Sequence, residues 1–278
     1  MFASLLITFR ETLEVALVVG ILLTFFYKTN QASYNKYVWY GVGVGVLLSV
    51  ILYGILNSFF GGFEGRVEQI FEGILMFVTA GFITWMILWV HRQKGIAKEL
   101  QSKARTHIAN KFPLGITILT ITATAREGVE TVFYLRAAST LASGNIFLGA
   151  LLGVIIAVVV GYLIFRYGMK LRLMQVLKFS GALLLLFAAG LVAHGVHEFQ
   201  EAGLLPIFSF DPLINIQHIL DHKSIFGSIL RVLFGYTSKP TLLELLSYGS
   251  YVFFIFILEL ITTKYLLLRS FTTNKSSR

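Results

Sequence analysis

Six charged side chains in two short stretches of this sequence have the types and spacing to hold a cation. FRETLE (residues 9–14) supplies Arg10, Glu11 and Glu14, and TAREGVETVFYL (residues 124–135) supplies Arg126, Glu127 and Glu130. Both read Arg-Glu-x-x-Glu. On a helix the two Glu of each motif, three residues apart, share one face, and the Arg can meet the second Glu four residues on. Each motif thus offers two carboxylates partly balanced by one guanidinium. Clustered carboxylate oxygens suit a hard ion such as Fe3+, Mn2+, Mg2+ or Ca2+ and disfavour Cu+. Four carboxylates against two guanidiniums leave a negative excess that a highly charged cation would offset. Residue chemistry carries the reading to a hard, strongly charged cation and stops there. The plainer reading, structural ion pairs that lock two helices together, leaves Glu11 and Glu127 without partners.

Other titratable residues gather elsewhere. GVHEFQEAG carries His197, Glu198 and Glu201, and Glu68 and Glu72 stand four apart near the start of an apolar run. These five are expected to form an outer recruitment station ahead of the motif carboxylates. His218, Asp221 and His222 read instead as a solvated helix face. An enzymatic alternative exists, because paired carboxylates on helices also build di-iron oxidases, which use Glu-x-x-His. Here Glu14 and Glu130 occupy the place of that His.

The elements that must position these groups are membrane helices. The 278 residues are 56% hydrophobic and only 13% charged, with 25 Phe. A soluble domain would carry about a quarter charged residues. The net charge of +9 does not call for nucleic acid, since basic residues collect in cytoplasmic loops. No cysteine is present, which removes disulfides and thiolate ligands. The N-terminus lacks a basic leader region, and its apolar run is broken by the first motif, unlike a cleavable signal peptide.

Spans of about 20 apolar residues fall at about 2–27, 37–57, 68–90, 113–136, 146–165, 179–200 and 241–267. The connection 91–112 is polar with a helical pattern, and 166–178 reads as a second connection. Segments 28–36, 91–112, 166–178 and 268–278 hold fifteen Lys and Arg, whereas 58–67, 137–145 and 201–240 hold four. The expected protein is therefore an all-α polytopic membrane protein with seven transmembrane helices, its N-terminus outside and its C-terminus inside. It forms one transmembrane domain over 1–278. The segment 201–240, rich in Ile, Leu and Phe, is expected to lie against the outer membrane face.

The recurring motif marks an internal repeat, about 2–90 and about 113–200. Spans two and five each carry a pair of glycines four apart, Gly41/Gly45 and Gly149/Gly153, suited to close helix packing. Spans one and four run in opposite directions, so the expected plan is a 3+3 inverted repeat plus one. At 1.5 Å per residue, Glu11 and Glu127 each lie roughly 13 Å from the outer end of their spans, so the motifs can face each other. Of fourteen acidic residues, only Glu99 and Glu259 fall inside. A basic inner face and an acidic outer face describe a route for a cation arriving from outside.

With two Arg-Glu-x-x-Glu motifs in spans one and four, the chain resembles the oxidase-dependent iron permeases, which include the fungal high-affinity iron permease and a bacterial iron-uptake permease. Glu72-Gly73 leading into AGFITWMILW, HGVHEFQEAGLLP at 194–206 and LFGYTSKPTLLELLSYGSY at 233–251 extend the resemblance. It implies ferric iron as cargo, with Glu11, Glu14, Glu127 and Glu130 as ligands and Arg10 and Arg126 completing the motifs. It also implies an iron oxidase or iron-delivery protein outside the cell as partner, with no cofactor beyond the transported ion. Carriage of another metal, such as manganese or lead, remains an alternative on the same scaffold.

Overall fold

The computed structural model describes residues 1–60, 62–92, 96–110, 112–141, 145–166, 170–206 and 241–275, and among these every long element is an α-helix. In chain order they are α1 (Phe2–Lys28), α2 (Asn35–Phe60), α3 (Arg66–Arg92), α4 (Ile96–Ala109), α5 (Pro113–Leu141), α6 (Ile146–Arg166), α7 (Lys170–Glu201) and α8 (Leu242–Lys275), with a 3₁₀ turn at Ala32–Tyr34. Helix is the form that satisfies every backbone group within one segment, as an apolar surrounding requires. Pro113 opens α5 at the first helical position, where its missing N–H costs nothing. Gly203, at φ 69, closes α7: its N–H donates to Gln200 O at 3.0 Å, and the Leu204 N–H donates to Phe199 O at 2.9 Å. That C-terminal turn stops the helix immediately after Glu201.

Among the described residues, four stretches are long and apolar enough to cross a membrane by length and composition: Ala32–Phe59, Arg66–Leu88, Ile146–Ile164 and Gln175–Glu201. α1 and α5 are as long, at 27 and 29 residues, and carry the charged motifs within them. α8 opens with the shorter apolar stretch Leu242–Leu258. Two expected boundaries are corrected. Most of 166–178 is not a connection, because α7 already begins at Lys170; KLRLMQVLKFS contains neither Pro nor Gly and is rich in strong helix formers. α5 likewise continues to Leu141, past the expected end at 136. Of the expected outer segment, 207–240 lies outside the described residues, and with it His218, Asp221 and His222.

The helices pair in a doubled pattern. α1 packs along α6 and α2 along α5, while α3 crosses α7, and α8 lies on α7. Between α1 and α6, a Cβ on Gly153 would meet Thr8 and Leu5 and stand 2.9 Å from Phe9 N, and one on Gly149 would meet Ser4. Between α5 and α2, a Cβ on Gly45 would stand 2.7 Å from Thr124 Cβ, and one on Gly41 2.6 Å from Thr120 Cβ. In both pairs the contacts advance together along the two chains, so the partners run parallel. Each pair adds a threonine bond to the facing backbone: Thr8 Oγ1 donates to Ala150 O at 3.0 Å, and Thr117 Oγ1 to Tyr37 O at 3.2 Å. In a lipid surrounding, close approach over small residues is what holds helices together.

The α3–α7 crossing is symmetric within itself. A Cβ on Gly73 would approach Gly195 O at 3.2 Å, and a Cβ on Gly195 would approach Gly73 O at 3.3 Å. Phe77 and Phe199, each four residues past one of these glycines, stack with centroids 5.6 Å apart. Here the contacts advance in opposite senses, so α3 and α7 are antiparallel. α4 does not join the bundle axis. Its buried Ala104 packs with Leu22, Phe25 and Phe26 of α1, Val38 of α2 and Ile116 of α5, at one end of the bundle.

Candidate metal site

The motif residues meet where α1 contacts α5. Glu11, Glu14 and Glu127 each place one carboxylate oxygen within 4.8 Å of the others. Among the described residues, no other three metal-ligating side chains do so. The i, i+3 spacing puts Glu11 and Glu14 on one face of α1, and the α1–α5 contact brings Glu127 to it. Glu11 and Glu127 are buried, and one oxygen of each, Oε2, has no hydrogen-bond partner. A buried, unsatisfied acceptor costs about 1–3 kcal/mol. Oxygens left open inside a protein in this way can receive a cation, and two of them beside the Glu14 carboxylate can hold a hard one.

The two arginines frame the group differently. Arg10, at 2% exposure, donates to Glu11 at 2.7 Å and to Glu14 at 2.5 Å. Its second terminal nitrogen also lies 2.6 Å from Met86 Sδ on α3. Glu11 is thus paired, which corrects the expectation that an ion-pair reading would leave it without a partner: one guanidinium reaches both carboxylates. Arg126, at 30% exposure, donates from Nε to Glu130 at 3.1 Å and lies 3.9 Å from Glu127. Its guanidinium stands over the Trp85 ring, 5.8 Å from the centroid. Glu130 also accepts a bond from the Tyr134 hydroxyl at 3.2 Å.

A second polar cluster occupies the opposite end of the bundle from α4. His197 bonds Glu201 at 3.2 Å through Nε2 and Glu244 of α8 at 2.9 Å through Nδ1. Gln69 donates to the other side of Glu201 at 3.1 Å. Glu198 is within electrostatic reach of Glu72, Glu201 and Glu68, and Glu72 lies 3.8 Å from Arg136 of α5. The five residues expected here therefore do share one end of the molecule. Their ligating atoms are not drawn together as those of the motif group are; His197, Glu201 and Glu72 bond or pair with other side chains instead.

Sequence reasoning missed Met86, Trp85, Tyr134, Arg136 and Glu244. Tyr134 was within its reach, standing four residues past Glu130 on the same helix face. The other four act from α3, from the end of α5 or from α8, and no spacing in the chain announces such contacts.

The sequence profile of the Iron permease FTR1 family matches residues 1–273. The chain belongs to the iron permease FTR1 family. It is 32% identical over 259 residues to the ferrous iron permease EfeU of Yersinia pestis, covering 91% of this chain and 90% of that one. It is 31% identical over 249 residues to the putative inactive ferrous iron permease EfeU of Escherichia coli (strain K12), covering 88% and 90%. The same figures hold for the ferrous iron permease EfeU of Escherichia coli O6:K15:H31. No solved structure matches. As an iron permease of this family, with apolar helices of spanning length, the protein is a multi-pass protein of the cell membrane. It is a transporter and not an oxidase, so the di-iron enzyme alternative falls.

Proposed function

We propose that this FTR1-family permease imports iron through a site built from Glu11, Glu14, Glu127 and Glu130, with Arg10 and Arg126 holding the carboxylates in place. The observation that carries the reading is the meeting of Glu11, Glu14 and Glu127 from two helices, within 4.8 Å of one another, with one buried oxygen open on each of Glu11 and Glu127. Iron is delivered as Fe3+ by an iron oxidase or iron-carrying protein outside the cell, as the family resemblance implies. One observation favours a second reading with Fe2+: the relatives are named ferrous iron permeases. Radioiron uptake into proteoliposomes separates the two: Fe3+-citrate against Fe2+ held reduced by ascorbate, with Mn2+ and Pb2+ as competitors. Uptake of neither iron species would overturn the function.

The scaffold of this proposal has seven spans, with α1–α3 and α5–α7 as inverted repeats and α8 added. The doubled helix pairing supports it. Parallel α1/α6 and α2/α5 with antiparallel α3/α7 are the directions expected when six spans alternate and the fourth mirrors the first. The N-terminus lies outside and α4 inside, following the fifteen-to-four asymmetry of basic residues. Because the chain has no cysteine, single Cys substitutions at Ser102 and Ser143 test this directly. An impermeant thiol reagent added to intact cells should label position 143 and spare position 102, and the reverse result would sink the topology.

Glu68, Glu72, His197, Glu198 and Glu201 then form a recruitment station on the outer face. Surface ligands set capture while buried ones set passage. Glu198→Ala or Glu201→Ala should raise the iron concentration for half-maximal uptake more than it lowers the maximal rate.

A further inference from the structure

We propose that Tyr134 is a positioning residue of the permeation site, whose hydroxyl holds Glu130 back from the three-carboxylate group and so makes Glu130 a ligand in only part of the transport cycle. The inference rests on the reading of the motif glutamates as iron ligands. Tyr134 is fully buried, among the largest such side chains of the protein. Its hydroxyl donates to Glu130 Oε2 at 3.2 Å, while Oε1 of the same carboxylate accepts from Arg126 Nε at 3.1 Å. Both oxygens of Glu130 are thereby engaged, whereas Glu11 and Glu127 each keep one without a partner. Glu130 is buried on the helix face of Glu127, yet it is absent from the group whose oxygens lie within 4.8 Å.

The restraint is not a property of the motif itself. Eight residues past Arg10, where the second copy has Tyr134, the first has Val18. A buried phenol finds a hydrogen-bond partner, and the nearest carboxylate one turn back supplies it. A single such bond is worth about a three- to tenfold change in an equilibrium. A metal ion competing for the same oxygen exceeds that, so the arriving ion can draw Glu130 in, and the phenol can take it back as the ion leaves. The restraint therefore weakens resting affinity and hastens release.

Tyr134→Phe removes the hydroxyl and keeps the ring, so the core packing survives. In proteoliposomes loaded with either iron species, this variant should lower both the half-saturating concentration and the maximal rate, each by about three- to tenfold. A residue that merely fills the core would not move the two together in that direction. In a Glu130→Ala background, which removes the acceptor, the same substitution should add nothing further, since both changes act on one bond. Additive effects in the double variant, or an unchanged concentration dependence for Tyr134→Phe, would overturn the proposal. So would a visible phenolate-to-iron charge-transfer band in the Fe3+-loaded protein that vanishes in Tyr134→Phe, because it would make Tyr134 a direct ligand. Failure of the underlying site looks different: Glu11→Gln and Glu127→Gln would then transport at the wild-type rate, whatever Tyr134 does.

Discussion

Arg10 and Arg126 open the same five-residue pattern on two helices that touch, yet their surroundings differ. Arg10 is shut in by Glu11, Glu14 and Met86, with almost no exposed surface. Arg126 keeps 30% of its side chain exposed and rests on Trp85, and its helix adds a phenol that the other copy lacks. The packing behind each motif follows suit. α5 carries Gly128 within the motif, where a Cβ would run into Ser49 of α2; α1 has Thr12 at the same motif position. Identical motifs therefore give one tightly closed half and one half with an open side. An ion pair sealed from water is costly to break, whereas a partly exposed one is held more loosely. The first copy is suited to hold its carboxylates fixed, and the second to let them move.

The largest effect expected from breaking this comparison comes from the carboxylates that both halves share. Glu11→Gln or Glu127→Gln keeps the side-chain size, replaces a carboxylate oxygen with an amide nitrogen, and should reduce radioiron uptake to background at normal membrane abundance. Equal, wild-type uptake in both variants would remove the site altogether. Next comes the contrast between the arginines. Arg10→Gln leaves the buried Glu11 and the half-buried Glu14 without their cation and should destabilise the protein by about 3–5 kcal/mol. Arg126→Gln should cost about 1 kcal/mol, discounted for its exposure. Thermal unfolding in detergent reads the difference, and equal losses would erase the distinction between the halves.

A smaller effect is expected from the glycines that seat each motif helix. Gly153→Ala drives a methyl group into Thr8, Leu5 and Phe9 backbone, and Gly45→Ala drives one toward Thr124 Cβ at 2.7 Å and Ala125 N at 3.2 Å. Each should cost about 1–3 kcal/mol through overpacking, with Gly153 the worse because the backbone atoms it meets are closer. Gly43→Ala, which meets nothing within 4 Å, should be neutral in the same melting assay. The smallest change is Trp85→Leu, which removes only the ring beneath Arg126. It should lower stability by about 0.5–1 kcal/mol and leave Arg10's side of the site untouched. A loss as large as that of Arg10→Gln would mean that Trp85 supports more than this arginine.

Much of the architecture was legible before any coordinates. Long apolar runs force helices wherever lipid denies the backbone other partners, and all seven expected spans are helical. The start of α7 is harder to read, because KLRLMQVLK is basic enough for a connection yet has high helix propensity throughout. The i, i+4 ion pairs Arg10–Glu14 and Arg126–Glu130 follow from spacing alone. Local geometry is enough for such features, because a helix sets the distance between neighbours on one face.

What the sequence determined by itself is therefore the helical content, the two motifs with their internal pairs, and the clustering of acidic residues toward one end. Tertiary structure alone decided that Glu127 joins Glu11 and Glu14 while Glu130 stands apart, that Met86 caps one arginine and Trp85 the other, and that His197 is bound to Glu244 across 47 residues of chain. Those choices depend on how closely helices approach and how they rotate. Both are set by the fit of small residues such as Gly45 and Gly153 against a neighbour that is distant in the chain, and no local spacing records it.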